Sequence, residues 1–148
     1  MPTTLNKHHR SRRVEQPVGL AFVDIDHFKR INDTYGHQAG DAVLRAISDK
    51  MCAVMRPYDS VGRFGGEEFL IVLPGCDEAN LRKLCERLRE ILAETSILYE
   101  NKTISCTVSI GATLWNPTKE PVVEVLVRAA DLALYRAKSG GRNRVELA

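Results

Sequence analysis

Asp24 and Asp26 close one apolar run, and Glu67 and Glu68 stand side by side between two others, inside RPYDSVGRFGGEEFLIVL (56–73). Glycine weakens a strand interior and adjacent like charges repel, so local stability does not favour two glycines followed by two acids in strand material. If the two strands are neighbours, the acids converge. Converging hard oxygens that need a compensating charge suit Mg²⁺, which takes one or two carboxylates plus waters and substrate phosphates. The competing reading leaves all four as solvated acids at strand ends. His27 and His37 have no Cys or His partner at ligand spacing, which sets zinc aside.

The elements that must position these acids follow from hydrophobic period. VGLAFVDI (18–25) is nearly continuous in apolar residues and predicts a strand buried on both faces. From Gly40, the residues Val43, Leu44, Ile47, Met51 and Val54 keep helical spacing, with Pro57 closing the helix after Arg56. SVGRF and EFLIVL predict a hairpin around Gly65-Gly66, whose turn is expected to use the positive φ that glycine allows and whose bare backbone a ligand can approach. Gly36 reads as a turn or helix end. Asp77 is placed to cap a helix with the stripe Leu81, Leu84, Cys85, Leu88, Ile91, Leu92. TISCTVSIGA (103–112) alternates strictly, which predicts a single strand with one polar or wet face. Pro121 is expected to start a last helix that ends at Gly140-Gly141 before the short strand RVEL. The order β, helices, ββ, α, β, α, β predicts an α+β fold, a ferredoxin-like βαββαβ core with a mainly antiparallel central sheet flanked by helices.

The 148 residues fit one domain, and the net charge is +2. Lys7, Arg10, Arg12 and Arg13 all precede the first acid, so residues 1–13 carry +4 and the rest −2. That near-neutral body argues against a nucleic-acid-binding face, and residues 1–17 read as a basic arm, disordered or truncated, before a domain at 18–148. Cys52, Cys76, Cys85 and Cys106 form no CxxC pair and read as small hydrophobes suited to a reducing cytoplasm. No run approaches the roughly 18 apolar residues of a membrane span, and no signal peptide or anchor is expected.

Three separated stretches, DIDHFKRINDTYGHQAGD, VGRFGGEEFLIVLPG and AADLALYRAKSGGRNRV, resemble in order and spacing the GGDEF family of diguanylate cyclases, over about Val18 to Val145. The resemblance implies an enzyme that joins two GTP into cyclic di-GMP, each 3′-hydroxyl attacking the other's α-phosphate across a homodimer. It implies Asp24, the Ile25 carbonyl and Glu67 as ligands of two Mg²⁺ or Mn²⁺ ions, with Glu67 and Glu68 as candidate bases for the hydroxyl. Lys29 would lie against the terminal phosphates, and Lys138 and Arg142 would hold phosphates by charge-assisted bonds. Asn32 and Asp41 would read guanine, whose N–H donors a carboxylate accepts and adenine lacks. His27, Phe28, Gly65 and Gly66 would lie beside the substrate.

Singly, Lys29 reads as a surface lysine, Asp41 as a first-turn acid and Arg142 as a loop cation; together they point one way. Arg56-Pro57-Tyr58-Asp59 is an RxxD, placed as in family members that bind their own product at an inhibitory site; Arg suits guanine's O6/N7 edge, and the plainer reading is a helix-end Arg–Asp pair. The family's usual Asp-x-Leu-Thr-Gly-Leu-x-Asn-Arg-Arg opening is poorly matched by TTLNKHHRSRR, which implies a divergent amino end or a regulatory domain absent from this chain. The alternative function is a receptor module that binds cyclic di-GMP or GTP with weak or no catalysis. Intact Asp24, Lys29, Glu67 and Glu68 argue against it, and the absence of GxxxxGK[ST] excludes a P-loop GTPase.

Overall fold

The computed structural model describes residues 16–118 and 120–148, so the basic arm lies almost wholly outside the described residues. The apolar run forms β1 (Val18–Ile25), followed by helices α1 (Phe28–Tyr35) and α2 (His37–Val54) and the hairpin β2 (Ser60–Gly65) and β3 (Glu68–Pro74). Then come α3 (Glu78–Ala93), a small hairpin of β4 (Ile97–Tyr99) and β5 (Lys102–Ile104), β6 (Val108–Trp115), α4 (Val123–Ser139) and β7 (Val145–Leu147). The main sheet has the order β2-β3-β1-β6-β7, antiparallel except for the β6–β7 pair. That is the expected α+β layering, with β1 in the middle.

Both faces of β1 are covered, which explains its lack of alternation. Ala21, Val23 and Ile25 join a core with Val43, Ile47 and Met51 of α2 and Leu81, Leu88 and Leu92 of α3. Phe22 points the other way, into a small cluster with Ala130 and Leu134 of α4. Asp77 caps α3 as expected, its carboxylate accepting from Asn80 N–H at 2.8 Å. Ala130, Ala133 and Ala137 line the buried face of α4, so this helix rides close to the sheet. Closest of all is the passage over Gly111, where an added Cβ would lie 2.5 Å from Leu134 Cα and nearer still to its backbone nitrogen.

Several expectations are corrected. Neither Gly65 nor Gly66 has a left-handed φ; the turn instead follows a bulge between Arg63 and Gly65 and is closed by Arg63, whose Nε and Nη2 donate to Gly66 O at 2.9 and 2.7 Å. TISCTVSIGA is not one strand: pairing breaks over 105–107, and its hydroxyl face is wet only in the first half, where Thr103 and Ser105 are exposed, while Thr107 is partly buried and Ser109 fully buried. The β4–β5 hairpin was not foreseen; it turns at Glu100, with φ 53°. Helix α2 begins at His37, three residues before Gly40, and ends at Val54, so Asp41 is in its second turn and the first-turn dipole reading lapses. Helix α4 begins at Val123 rather than Pro121, and Cys52 is exposed while the other three cysteines are buried. Among the described residues no helix is long and apolar enough to cross a membrane.

Candidate active site

The end of β1 and the tip of the β2–β3 hairpin meet because β1 and β3 are direct neighbours. Asp24 lies opposite Glu68 in the register, and Ile25 N–H donates to Glu67 O at 3.3 Å, stitching the tip to the strand end. Beside that junction opens a cleft of about 510 Å³. Asp24, Ile25, Lys29, Glu67, Lys138 and Arg142 line it, and His27 and Phe28 form part of its wall. Glu68 is half-buried at the cleft's edge, opposite Asp24. Asn32, Asp41, Gly65 and Gly66 are not on the lining.

Asn32 nonetheless packs against the residue next to Asp41. The Asn32 side chain lies over Gly40, where an added Cβ would come 3.0 Å from Asn32 Cγ and 3.2 Å from Phe28 Cζ. Gly40 is thus the residue that admits Asn32 against α2, and its only sequence signal was a glycine at the head of a helical pattern. Asp41 opens on a separate cavity of about 450 Å³ that also takes in Arg63, the residue clamping the hairpin tip.

Charge in the cleft is unbalanced towards acid at its buried end. Burial pushes the Asp24 carboxyl up from its ordinary value; the Lys138 hydrogen bond and charge oppose this, and the neighbouring Glu67 and Asp26 charges add to the rise. The Lys138 ammonium sits directly on Asp24 Oδ2, where a cation belongs. Among the described residues no three His, Cys, Asp or Glu side chains form a closed metal cage. The oxygens that could take a hard cation are two carboxylates, Asp24 and Glu67, with the Ile25 carbonyl. That donor set fits Mg²⁺, which keeps positions for water and phosphate.

The Glu68 carboxyl is also pushed up, by burial first and then by the Asp24 charge, with Lys138 opposing. An acid raised in the folded state favours folding below its unfolded value of 4.5, and that contribution is lost as pH rises through the folded value. Glu68→Gln cannot ionise. Its urea midpoint is expected to match the parent's at about pH 4 and to exceed it at about pH 8; a gap independent of pH would contradict the assignment.

Arg56 and Asp59 close on each other. The Asp59 side chain has no exposure and accepts from Arg56 N–H, Nε and Nη2 at 2.8–3.1 Å, while Nη2 also donates to Pro74 O at 3.2 Å. Arg56 stacks over Tyr58 at 4.6 Å and borders a groove of about 360 Å³ with Lys83 and Arg87 of α3. These two α3 cations were absent from the sequence reading, which took α3 as packing only; they occupy its outward side.

Comparison with known proteins decides the family. The family profile "Diguanylate cyclase, GGDEF domain" matches residues 2–144, taking in most of the stretch set aside as an arm. The chain belongs to this GGDEF family. Diguanylate cyclase A of Treponema denticola is 41% identical over 133 residues, which is 90% of this chain and 36% of that longer protein. The E. coli diguanylate cyclase DosC is 40% identical over 99% of this chain, and this GGDEF domain again spans a minority, 32%, of the relative. Among solved structures, the GGDEF domain of Caulobacter crescentus DgcB, determined in complex with c-di-GMP, superposes with a TM-score of 0.84 at 33% identity, covering 96% of this chain and 86% of that one.

Proposed function

We propose that this GGDEF domain is a diguanylate cyclase that joins two GTP into cyclic di-GMP with release of two pyrophosphates. The observation that carries the reading is the stitching of Glu67 to the strand end that bears Asp24, in one cleft with Lys29, Lys138 and Arg142. Acids and cations on the wall of one cleft match a triphosphate and its counter-ion. The curated relatives and the c-di-GMP complex of DgcB support the same substrate class.

In this account Asp24, the Ile25 carbonyl and Glu67 hold Mg²⁺, which when bound supplies charge neutralisation at the phosphates and a lowered pKa at the attacking hydroxyl. Glu67 accepts the 3′-hydroxyl proton, with Glu68 beside it. The freed oxygen bonds to the α-phosphorus of the other GTP, the bond from that phosphorus to the α,β-bridging oxygen breaks, and pyrophosphate carries away the electron pair. Lys29 and Arg142 hold the departing phosphates, and Lys138 exchanges Asp24 for phosphate oxygen. Asn32 and Asp41 select guanine at the α1–α2 junction. One domain holds one GTP, so closing the ring requires two domains face to face. Product formation per chain is therefore expected to rise with chain concentration until dimers saturate; a specific rate independent of dilution would contradict the homodimer.

Feedback by product is assigned to the groove bordered by Arg56, Lys83 and Arg87, whose cations suit guanine edges and phosphates. Arg56→Ala would strip the buried Asp59 carboxylate of its partner and confound the test with instability. Arg87→Ala leaves that pair intact. It is expected to keep initial cyclase rates within about twofold and to weaken inhibition by added cyclic di-GMP about tenfold, as for loss of one charge-assisted contact. Unchanged inhibition would remove the groove from the account.

A further inference from the structure

Asp26 stands two residues from Asp24 yet is spent in another way. It is 5% exposed and accepts three hydrogen bonds from distant parts of the chain. Thr107 Oγ1 donates to Oδ2 at 2.6 Å, Ser109 Oγ to Oδ1 at 2.6 Å, and the backbone N–H of Asn143 to Oδ2 at 3.0 Å. Three converging donors suit a carboxylate, which only accepts. The first two bonds fix Asp26 to the start of β6; the third reaches the turn after α4.

That turn is strained. Arg142 and Asn143 have φ of 64° and 45°, two successive residues in a region that non-glycine side chains visit at a cost. Such a pair persists only when its surroundings hold it. Arg142 N–H donates to Ala137 O at 3.0 Å, Asn143 is held from below by Asp26, and Arg89 Nη1 of α3 donates to Asn143 Oδ1 at 2.9 Å. Arg89 is itself held by Glu86, at 3.0 Å. The outcome is that Arg142 leaves a left-handed backbone position and lines the cleft.

We propose that Asp26 is a positioning residue that acts through Asn143, pinning the left-handed turn so that Arg142 is already aimed at the phosphates before they arrive. A pre-aimed cation loses less freedom on binding, so the pin appears as anion affinity. The proposal rests on the reading that the cleft takes a nucleoside triphosphate, and the probe is chosen to separate the two.

The experiment measures binding of inorganic triphosphate by calorimetry, and amide hydrogen exchange by NMR, for the parent, Asp26→Ala, Asn143→Val, Arg142→Ala and the two combinations with Arg142→Ala. Asn143→Val leaves Asp26 its Thr107 and Ser109 donors but disfavours the left-handed turn, so it carries the test if Asp26→Ala does not fold. The Asn143 amide is expected to exchange slowly in the parent and at least about tenfold faster in Asp26→Ala, as for a lost bond to a charged acceptor. Each of the two single changes is expected to weaken triphosphate binding about tenfold, and by less than about twofold once Arg142 is Ala. A loss that persists in the Arg142→Ala background, a fast Asn143 amide in the parent, or a parent that does not bind triphosphate overturns the proposal. Triphosphate binding with the expected coupling, but no use of GTP, leaves the pin standing and removes the cyclase reading instead.

Discussion

Glu67→Gln is expected to lower cyclic di-GMP formation by about three orders of magnitude while leaving the fold intact. The amide matches the carboxylate in shape but carries no charge for a metal and accepts no proton. Its backbone carbonyl, the group that bonds Ile25 N–H, is untouched, so the hairpin tip stays stitched to β1. Stability is expected to change by less than about 0.5 kcal/mol, the ordinary range for a partly exposed position. The loss is therefore expected in turnover rather than in unfolding, read by product chromatography beside a urea titration. Residual activity above about a tenth of the parent's would take proton transfer and metal binding away from Glu67.

Gly111→Ala is expected to have the largest effect on stability, about 3 kcal/mol or more, because its Cβ would enter the backbone of α4. The obstructing atoms are Leu134 N and Cα and Ala130 O, none of which can rotate aside as a side chain would. Relief requires lifting the helix off β6, and α4 carries Lys138, so the cleft should suffer before the protein unfolds. Gly62→Ala on β2 is the control: nothing lies within 4 Å of its added Cβ. Its urea midpoint is expected to stay near the parent's. Equal midpoints for Gly111→Ala and the parent would contradict the close approach.

Much of this arrangement was legible in the chain because period and burial coincide. The unbroken apolar run of β1 reported two covered faces, and the stripes of α2 and α3 reported one each. The pairing of β1 with the hairpin was enough to bring Asp24 and Glu67 into one cleft. What escaped was set by contacts that local pattern does not encode. Alternation continued through 103–112, so the break at 105–107 had no local signal; at its end and just beyond it the Thr107 and Ser109 hydroxyls bond a carboxylate far upstream, Asp26. Gly65 and Gly66 suggested a left-handed turn, but the turn is closed by a bulge and by the Arg63 guanidinium. Asn143 looked like any residue of a terminal loop. Its bond to Asp26 spans 117 residues, and only the closed fold brings the two together. Arg87 was hidden by the regularity of α3, since a stripe identifies the buried face and is silent about what the other face borders.

The most direct measurement of the central claim is mass-resolved chromatography of the products formed when the purified chain, concentrated enough to pair, is incubated with GTP and Mg²⁺. The account predicts cyclic di-GMP with two pyrophosphates released per molecule formed, and nothing comparable from ATP. Unconsumed GTP, or GTP cut to GDP and phosphate without any cyclic dinucleotide, would contradict it.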